Sequence, residues 1–134
     1  MKIKDISIGD IVLITEGVVK IHSIGWDLRD SRCIGVEGKC FRIYKSDEDI
    51  EPMPIYVAWL MNNGFKQIGE QFAYMYKEGE TSIRIDTALN GSYSVLACRK
   101  PNKPDESVIK MDIRFAHELQ HIMKLFKLRK EMEI

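Results

Sequence analysis

Apolar and polar positions alternate through the first third of the chain. Asp10-Ile-Val-Leu-Ile14 and Val18-Val-Lys-Ile-His-Ser-Ile24 flank Glu16-Gly17, the pattern of two half-buried strands joined by a tight turn. With Glu16-Gly17 as a two-residue turn, Ile14 faces Val19 and Val12 faces Ile21. Those four then share one face of the ribbon, and Lys20 and His22 share the other. A second hairpin is expected from Arg32-Cys-Ile-Gly-Val36, Glu37-Gly38 and Lys39-Cys-Phe-Arg-Ile43, with Ile34, Val36, Phe41 and Ile43 on its apolar face. Two hairpins with matching apolar faces predict a small curled sheet, an SH3-like barrel. It should bury Val12, Ile14, Val19, Ile21, Ile34 and Phe41 together. Gly25 to Ser31 reads as a loop charged by Asp27, Arg29 and Asp30, with Trp26 and Leu28 folding back onto the core.

The texture changes after the acidic run Asp47-Glu48-Asp49 and Glu51. Pro52-Met53-Pro54 forms a stiff, non-helical connection. The boundary is placed here, giving an SH3-like β-module at 1–52 and an α+β module at 53–134. A short helix is predicted over Ile55 to Asn62, ended by Gly64. Strands fit Gln71 to Tyr76, Thr81 to Asp86, Tyr93 to Cys98 and Val108 to Asp112, punctuated by Gly79, Asn90-Gly91 and Pro101 to Pro104. The last element, Ile113 to about Lys130, reads as an amphipathic helix, with Phe115, Leu119, Ile122, Met123 and Phe126 at helical spacing. The expected class is α+β, with an antiparallel sheet, a short helix and a C-terminal helix following the β-module.

Composition narrows the function classes. Twenty basic and twenty acidic side chains cancel, which removes the broad positive field behind non-specific nucleic-acid binding. No signal-like apolar core opens the chain and no run is long enough for a membrane helix, so cytoplasm is the expected location, without a membrane partner. Three cysteines, Cys33, Cys40 and Cys98, are too few and too odd in number for a disulfide framework, and free thiols are expected. Cys33 and Cys40 would sit diagonally on the non-core face of the second hairpin, and with His22 they form one candidate metal set. Packing as small apolar side chains is their ordinary role.

Three phrases resemble a known group. Ile8-Gly9-Asp10-Ile11-Val12, then Glu51-Pro-Met-Pro-Ile55 with Trp59-Leu60 and Gly64-Phe65, and finally Phe115-Ala-His-Glu-Leu-Gln120 are similar in order and spacing to an uncharacterised family of small proteins. That family occurs in Bacteroides-type gut bacteria and their phages or mobile elements. The shared motifs are structural: a turn, a proline-flanked helix start, a helix end and a core helix. The resemblance therefore implies no activity. The family typically ends in a His-Gln/Glu-Leu-Gln-Asn pattern, so His117 matches it and His121 departs from it.

His117-Glu118-Leu-Gln-His121 is the strongest chemical signal, a literal H-E-x-x-H. On a helix this spacing puts two imidazoles on one face to bind zinc, beside a glutamate able to act as general base. A catalytic zinc also needs a third protein ligand. Lys124 and Lys127 stand where the extended metzincin pattern needs Gly and His. At about 100° per residue, His117 and His121 fall opposite the apolar stripe, on the wetter side beside Lys124. Ile113 and Leu128 lie roughly on that same side and are expected to serve a partner contact or self-contact. Basic residues cluster only at Arg99-Lys100 with Lys103 and at Lys124, Lys127, Arg129 and Lys130. Tyr74, Tyr76 and Tyr93 are more readily explained by sheet packing than by base stacking.

The expectation is a non-catalytic interaction or accessory protein of phage or mobile-element type. It has no cofactor, no catalytic or metal residues, and a protein partner whose identity and stoichiometry the sequence leaves open. The alternatives are a zinc-dependent hydrolase using His117, Glu118 and His121, or a weak nucleic-acid-binding module.

Overall fold

A computed structural model describes residues 6–26, 32–69, 73–88, 91–99, 108–128 and 131–134. The fold is α+β, with two five-stranded antiparallel sheets and two α-helices among the described residues. The chain divides into two compact units. Unit 1 comprises Met1–Pro54, Phe115–His117 and Glu133–Ile134; unit 2 comprises Ile55–Arg114 and Glu118–Met132.

Unit 1 contains β1 (Ile11–Ile14), β2 (Gly17–Trp26), β3 (Arg32–Glu37), β4 (Arg42–Ser46) and β5 (Glu51–Pro52), in the order β4-β3-β2-β1-β5. A buried carboxylate sets the start of β1. Asp10 Oδ2 accepts the Ser7 N–H at 2.7 Å, while the Asp10 carbonyl accepts the Ile21 N–H at 2.9 Å. In the first hairpin Val12 pairs with Val19 and Ile14 with Gly17. The turn is therefore Thr15-Glu16, not Glu16-Gly17. Gly17 sits at φ 132°, where a side chain is strained. This register differs from the expected one by two residues, so it keeps the same face inward. Val12, Ile14, Val19, Ile21, Ile34, Val36 and Ile50 form one buried cluster.

The second hairpin corrects the expected core. Val36 pairs with Ile43 and Glu37 with Arg42, so Phe41 lies in the connecting turn and remains 36% exposed. Its ring covers Gly38 instead, where an added Cβ would meet Phe41 Cε1 at 2.5 Å. The barrel does not close either. Among the described residues β4 and β5 are the two edges of an open sheet. The acidic run is a short 3-10 turn, Asp47–Asp49, in which Asp47 pairs with Arg32 at 2.6 Å. At the first hairpin, the Lys45 ammonium donates to Glu16 at 2.8 Å and holds that carboxyl below its ordinary range.

Unit 2 runs α1 (Val57–Asn62), β6 (Lys66–Gln67), β7 (Ala73–Glu78), β8 (Thr81–Thr87), β9 (Tyr93–Cys98) and β10 (Val108–Ile113). The five strands form a meander, β10-β9-β8-β7-β6. Helix α1 ends in a Schellman motif: the Phe65 N–H reaches the Leu60 carbonyl at 3.1 Å and the Gly64 N–H reaches Met61 at 3.2 Å. Gly64, at φ 92°, supplies the left-handed residue this motif needs. The register aligns Tyr74, Ile85, Val95 and Met111 in one row, and Tyr76, Ile83, Ala97 and Ile109 in the next. The Tyr93 hydroxyl donates to the Ile55 carbonyl at 3.0 Å, and burial, followed by the neighbouring Tyr74, pushes its pKa above the ordinary tyrosine range.

Helix α2 (Ala116–Leu125) is shorter than expected at both ends. Ile113 closes β10 and is 1% exposed. Leu128 lies beyond the helix and is half-buried. Neither supplies the exposed apolar surface expected of them. The helix also ends in a Schellman pattern, with the Leu128 N–H to the Met123 carbonyl at 3.2 Å and the Lys127 N–H to Lys124 at 2.9 Å. Here the left-handed position is Lys127, at φ 53° and the only non-glycine with positive φ among the described residues. An exposed lysine there carries a Cβ clash that glycine lacks. Lys127→Gly is expected to stabilise the protein by about 0.5–1 kcal/mol, read as a rise in the urea midpoint with an unchanged slope.

Candidate functional site

Helix α2 carries His117, Glu118 and His121 on successive turns, in the spacing the sequence offered. Their surroundings differ from those expected. His117 is buried, at 6% exposure, not on the wetter side. Its ring stacks on Phe115, with centroids 6.0 Å apart and planes 10° from parallel. Phe115–His117 clusters with unit 1, and the helix from Glu118 onward with unit 2. Glu118, third in the helix, turns back to accept the Arg114 N–H at 3.1 Å. A capping-box glutamate reaches the N–H of the N-cap, here Phe115; this bond lies one residue earlier, on the N–H that precedes the N-cap. His121 is half-buried. Among the described residues no three His, Cys, Asp or Glu side chains gather to hold a metal ion.

The second candidate set is dispersed by the register. Cys33 on β3 lies between Gly25 of β2 and Ser46 of β4. Cys40 lies in the exposed Gly38–Phe41 turn, off the ladder and not diagonal to Cys33. His22 sits at a β-bulge, because the pairing jumps from Ile21↔Val36 to Ser23↔Gly35. Its imidazole lies flat against the sheet where Gly35 lacks a side chain; a Cβ there would meet His22 Cε1 at 2.6 Å and Nε2 at 2.7 Å. The Tyr44 ring meets the imidazole edge-on at 6.0 Å. His22 Nε2 is buried with no hydrogen-bond partner.

The same three strands present the largest exposed side chains of unit 1. Strand β1 accompanies β2 only to Lys20. Beyond the Ile21 backbone bonds to Gly9 and Asp10, Ser23–Trp26 pair with β3 alone among the described residues. This leaves a β2–β3–β4 arm that β1 does not flank, although its inner face still carries Ile34 of the core cluster. On it Trp26 is 71% exposed and Tyr44 is 69% exposed. Trp26 thus does not fold back onto the core; Leu28 lies outside the described residues. Trp26 shares its face with Ile24 and Ile34, whereas Tyr44 shares the opposite face with Gly35 and Ser23. Sequence reasoning missed Tyr44. The available signal was its position between Ile43 and Lys45, where alternation turns it away from the core.

The basic clusters are only partly described. The Arg99 guanidinium lies over the Phe126 ring, 5.6 Å from its centre, whereas Lys100, Lys103, Arg129 and Lys130 lie outside the described residues. Tyr74 is buried, and the Tyr76 hydroxyl donates to Glu78 at 3.2 Å. Burial first, then that carboxylate, raises the Tyr76 hydroxyl above its ordinary range. In unit 1 a shallow hollow of about 360 Å³ is lined by Leu13, Ile14, Thr15, Glu48, Asp49 and Glu51, an acidic lining that repels phosphate. No helix among the described residues is long and apolar enough to cross a membrane. Comparison with known protein families, with curated proteins and with solved structures finds no match for this chain.

Two substitutions test these side chains as structural elements. Glu118→Gln keeps an oxygen acceptor for the Arg114 N–H and is expected to fold with nearly unchanged stability, while Glu118→Ala loses about 0.5–1 kcal/mol in urea unfolding. Gly35→Ala displaces the His22 imidazole and is expected to cost about 1–3 kcal/mol, with the His22 ring protons shifting away from their contact with Tyr44 in the NMR spectrum.

Proposed function

We propose that the protein is a non-catalytic interaction or accessory protein whose binding element is the β2–β3–β4 arm of unit 1. One observation carries the reading: Trp26, the last residue of β2, is 71% exposed. Aromatic side chains are the commonest anchors of protein interfaces because they bury a large area with few rotatable bonds. Tyr44 on the opposite face gives the arm a second anchor, so a partner groove that receives the arm would cover both. The SH3-like character read from the hairpins and the mobile-element type implied by the resemblance belong to this proposal. The first describes a small β-module of the kind that acts by contact. Glu118 supports it from the other side, since its carboxylate caps a helix.

The test uses the tagged full chain in its source cells, with co-purifying proteins quantified by mass spectrometry. Trp26→Ala and Tyr44→Ala are expected to lose the same partner while melting within a few degrees of the wild type. Met61→Ala, at an exposed position of α1 in unit 2, should retain it. Equal recovery by all four chains would overturn the assignment of the arm. Peptide hydrolysis by the wild type that Glu118→Gln abolishes would replace the whole reading with the zinc hydrolase.

A further inference from the structure

We propose that β10 of unit 2 pairs with its own copy, antiparallel and centred on Met111, to give a symmetric dimer. The inference is independent of the arm in unit 1.

Among the described residues β10 is the outer strand of its sheet. It is six residues long, whereas the opposite edge, β6, has two. A long edge strand with unpaired backbone groups is a template for another strand, and proteins usually blunt it. β10 contains no proline, and its pairing with β9 is an unbroken ladder from Val108↔Cys98 to Ile113↔Tyr93. Met111 is 42% exposed on it. Met111 ends the row Tyr74–Ile85–Val95–Met111, so its exposure comes from the row stopping at the sheet edge.

Symmetry restricts the register. Two identical antiparallel strands related by a two-fold axis must have that axis pass through a residue pair, so some residue faces itself. Centring on Lys110 sets Lys110 against Lys110. Centring on Asp112 sets Asp112 against Asp112. Both place like charges directly opposite, which destabilises. Centring on Met111 sets Met111 on Met111, Ile109 on Ile113 and, twice over, Lys110 on Asp112. The apolar residues then share one face and the two opposite-charge pairs share the other. Lys110 and Asp112 are both exposed and form no ion pair among the described residues. Lys110 lies beside the exposed Leu96 of β9, which would flank the new charge pair. A zero formal net charge leaves little overall repulsion between copies.

The other long edge lacks this match. Centring β4 on Tyr44 places Arg42 against Ser46 and Ile43 against Lys45, with no opposite charges facing each other. Its cations are also already engaged, Arg42 with Glu37 and Lys45 with Glu16.

The experiment is sedimentation of the full-length chain from about 5 to about 500 µM, a range that brackets the affinity of a small edge-to-edge contact. The wild type is expected to pass from monomer to dimer. Lys110→Glu and Asp112→Lys should each weaken the dimer by about tenfold or more, because each sets like charges opposite at two positions. The double variant restores opposite charges and should recover to within about threefold of the wild type. Mixing the two single variants should give a heterodimer. Should a single variant fold poorly by circular dichroism, Met111→Cys gives an independent measurement. Oxidised, it is expected to yield a dimer cross-linked at residue 111, since directly opposed residues in a ladder lie within disulfide range. A wild type that stays monomeric throughout, single variants that dimerise as tightly as wild type, or a double variant without recovery would each overturn the proposal.

Discussion

One missing side chain governs unit 1. Strict alternation along β2 would place Ile24 on the face of Lys20, away from the core. The bulge at His22 adds a residue between Ile21↔Val36 and Ser23↔Gly35, and so returns Ile24 to the face of Ile34. A bulge crowds two side chains against one residue of the neighbouring strand. Here that residue is Gly35, and His22 and Ser23 both occupy the space its side chain would take. The face on which Trp26 emerges, and the approach of Tyr44 to the imidazole, follow from that exchange.

Unit 2 meets the same demand for two distinct faces without a bulge. Its ladders run unbroken over β7, β8, β9 and β10, so alternation alone sorts its side chains. The consequence appears at the margin. Rows well covered at the centre, such as Ile85 and Val95, end at β10 in residues that are only partly covered. A regular sheet protects its interior and passes the problem of uncovered apolar area to its edge. Regularity and edge exposure are therefore two results of one pattern.

Much of the strand content was legible because period-two alternation tolerates error. The first hairpin was read with its turn one residue late, yet the resulting shift of two positions preserved every inward residue. Phe41 shows where that tolerance ends. Its hydrophobicity suggested a strand position, but a four-residue connection from Gly38 to Phe41 removed it from the ladder. The bulge could not be read from β2 alone, since nothing in Ile-His-Ser-Ile marks an extra residue until Gly35 is placed beside it. The strands β5 and β6 are two residues each, too short for any periodicity. Of the expected stripe, Leu119, Ile122 and Met123 of α2 and Phe126 just beyond it are buried, whereas Phe115 is only half-buried. The burial of His117 was not legible, because a wheel centred on the apolar stripe places it on the opposite face.

The H-E-x-x-H letters stand at the start of a helix, where folding constraints act on them. A helix beginning at Ala116 has its third residue at Glu118, where an acidic side chain both satisfies a backbone donor and opposes the positive end of the helix dipole. The Arg114 N–H occupies that carboxylate in this structure. His117 is fixed separately, by stacking on Phe115. A hydrolytic site would instead require the glutamate to release its cap and face a water held between both imidazoles. The energy of helix initiation opposes that release, so the capped carboxylate belongs to the stability of α2.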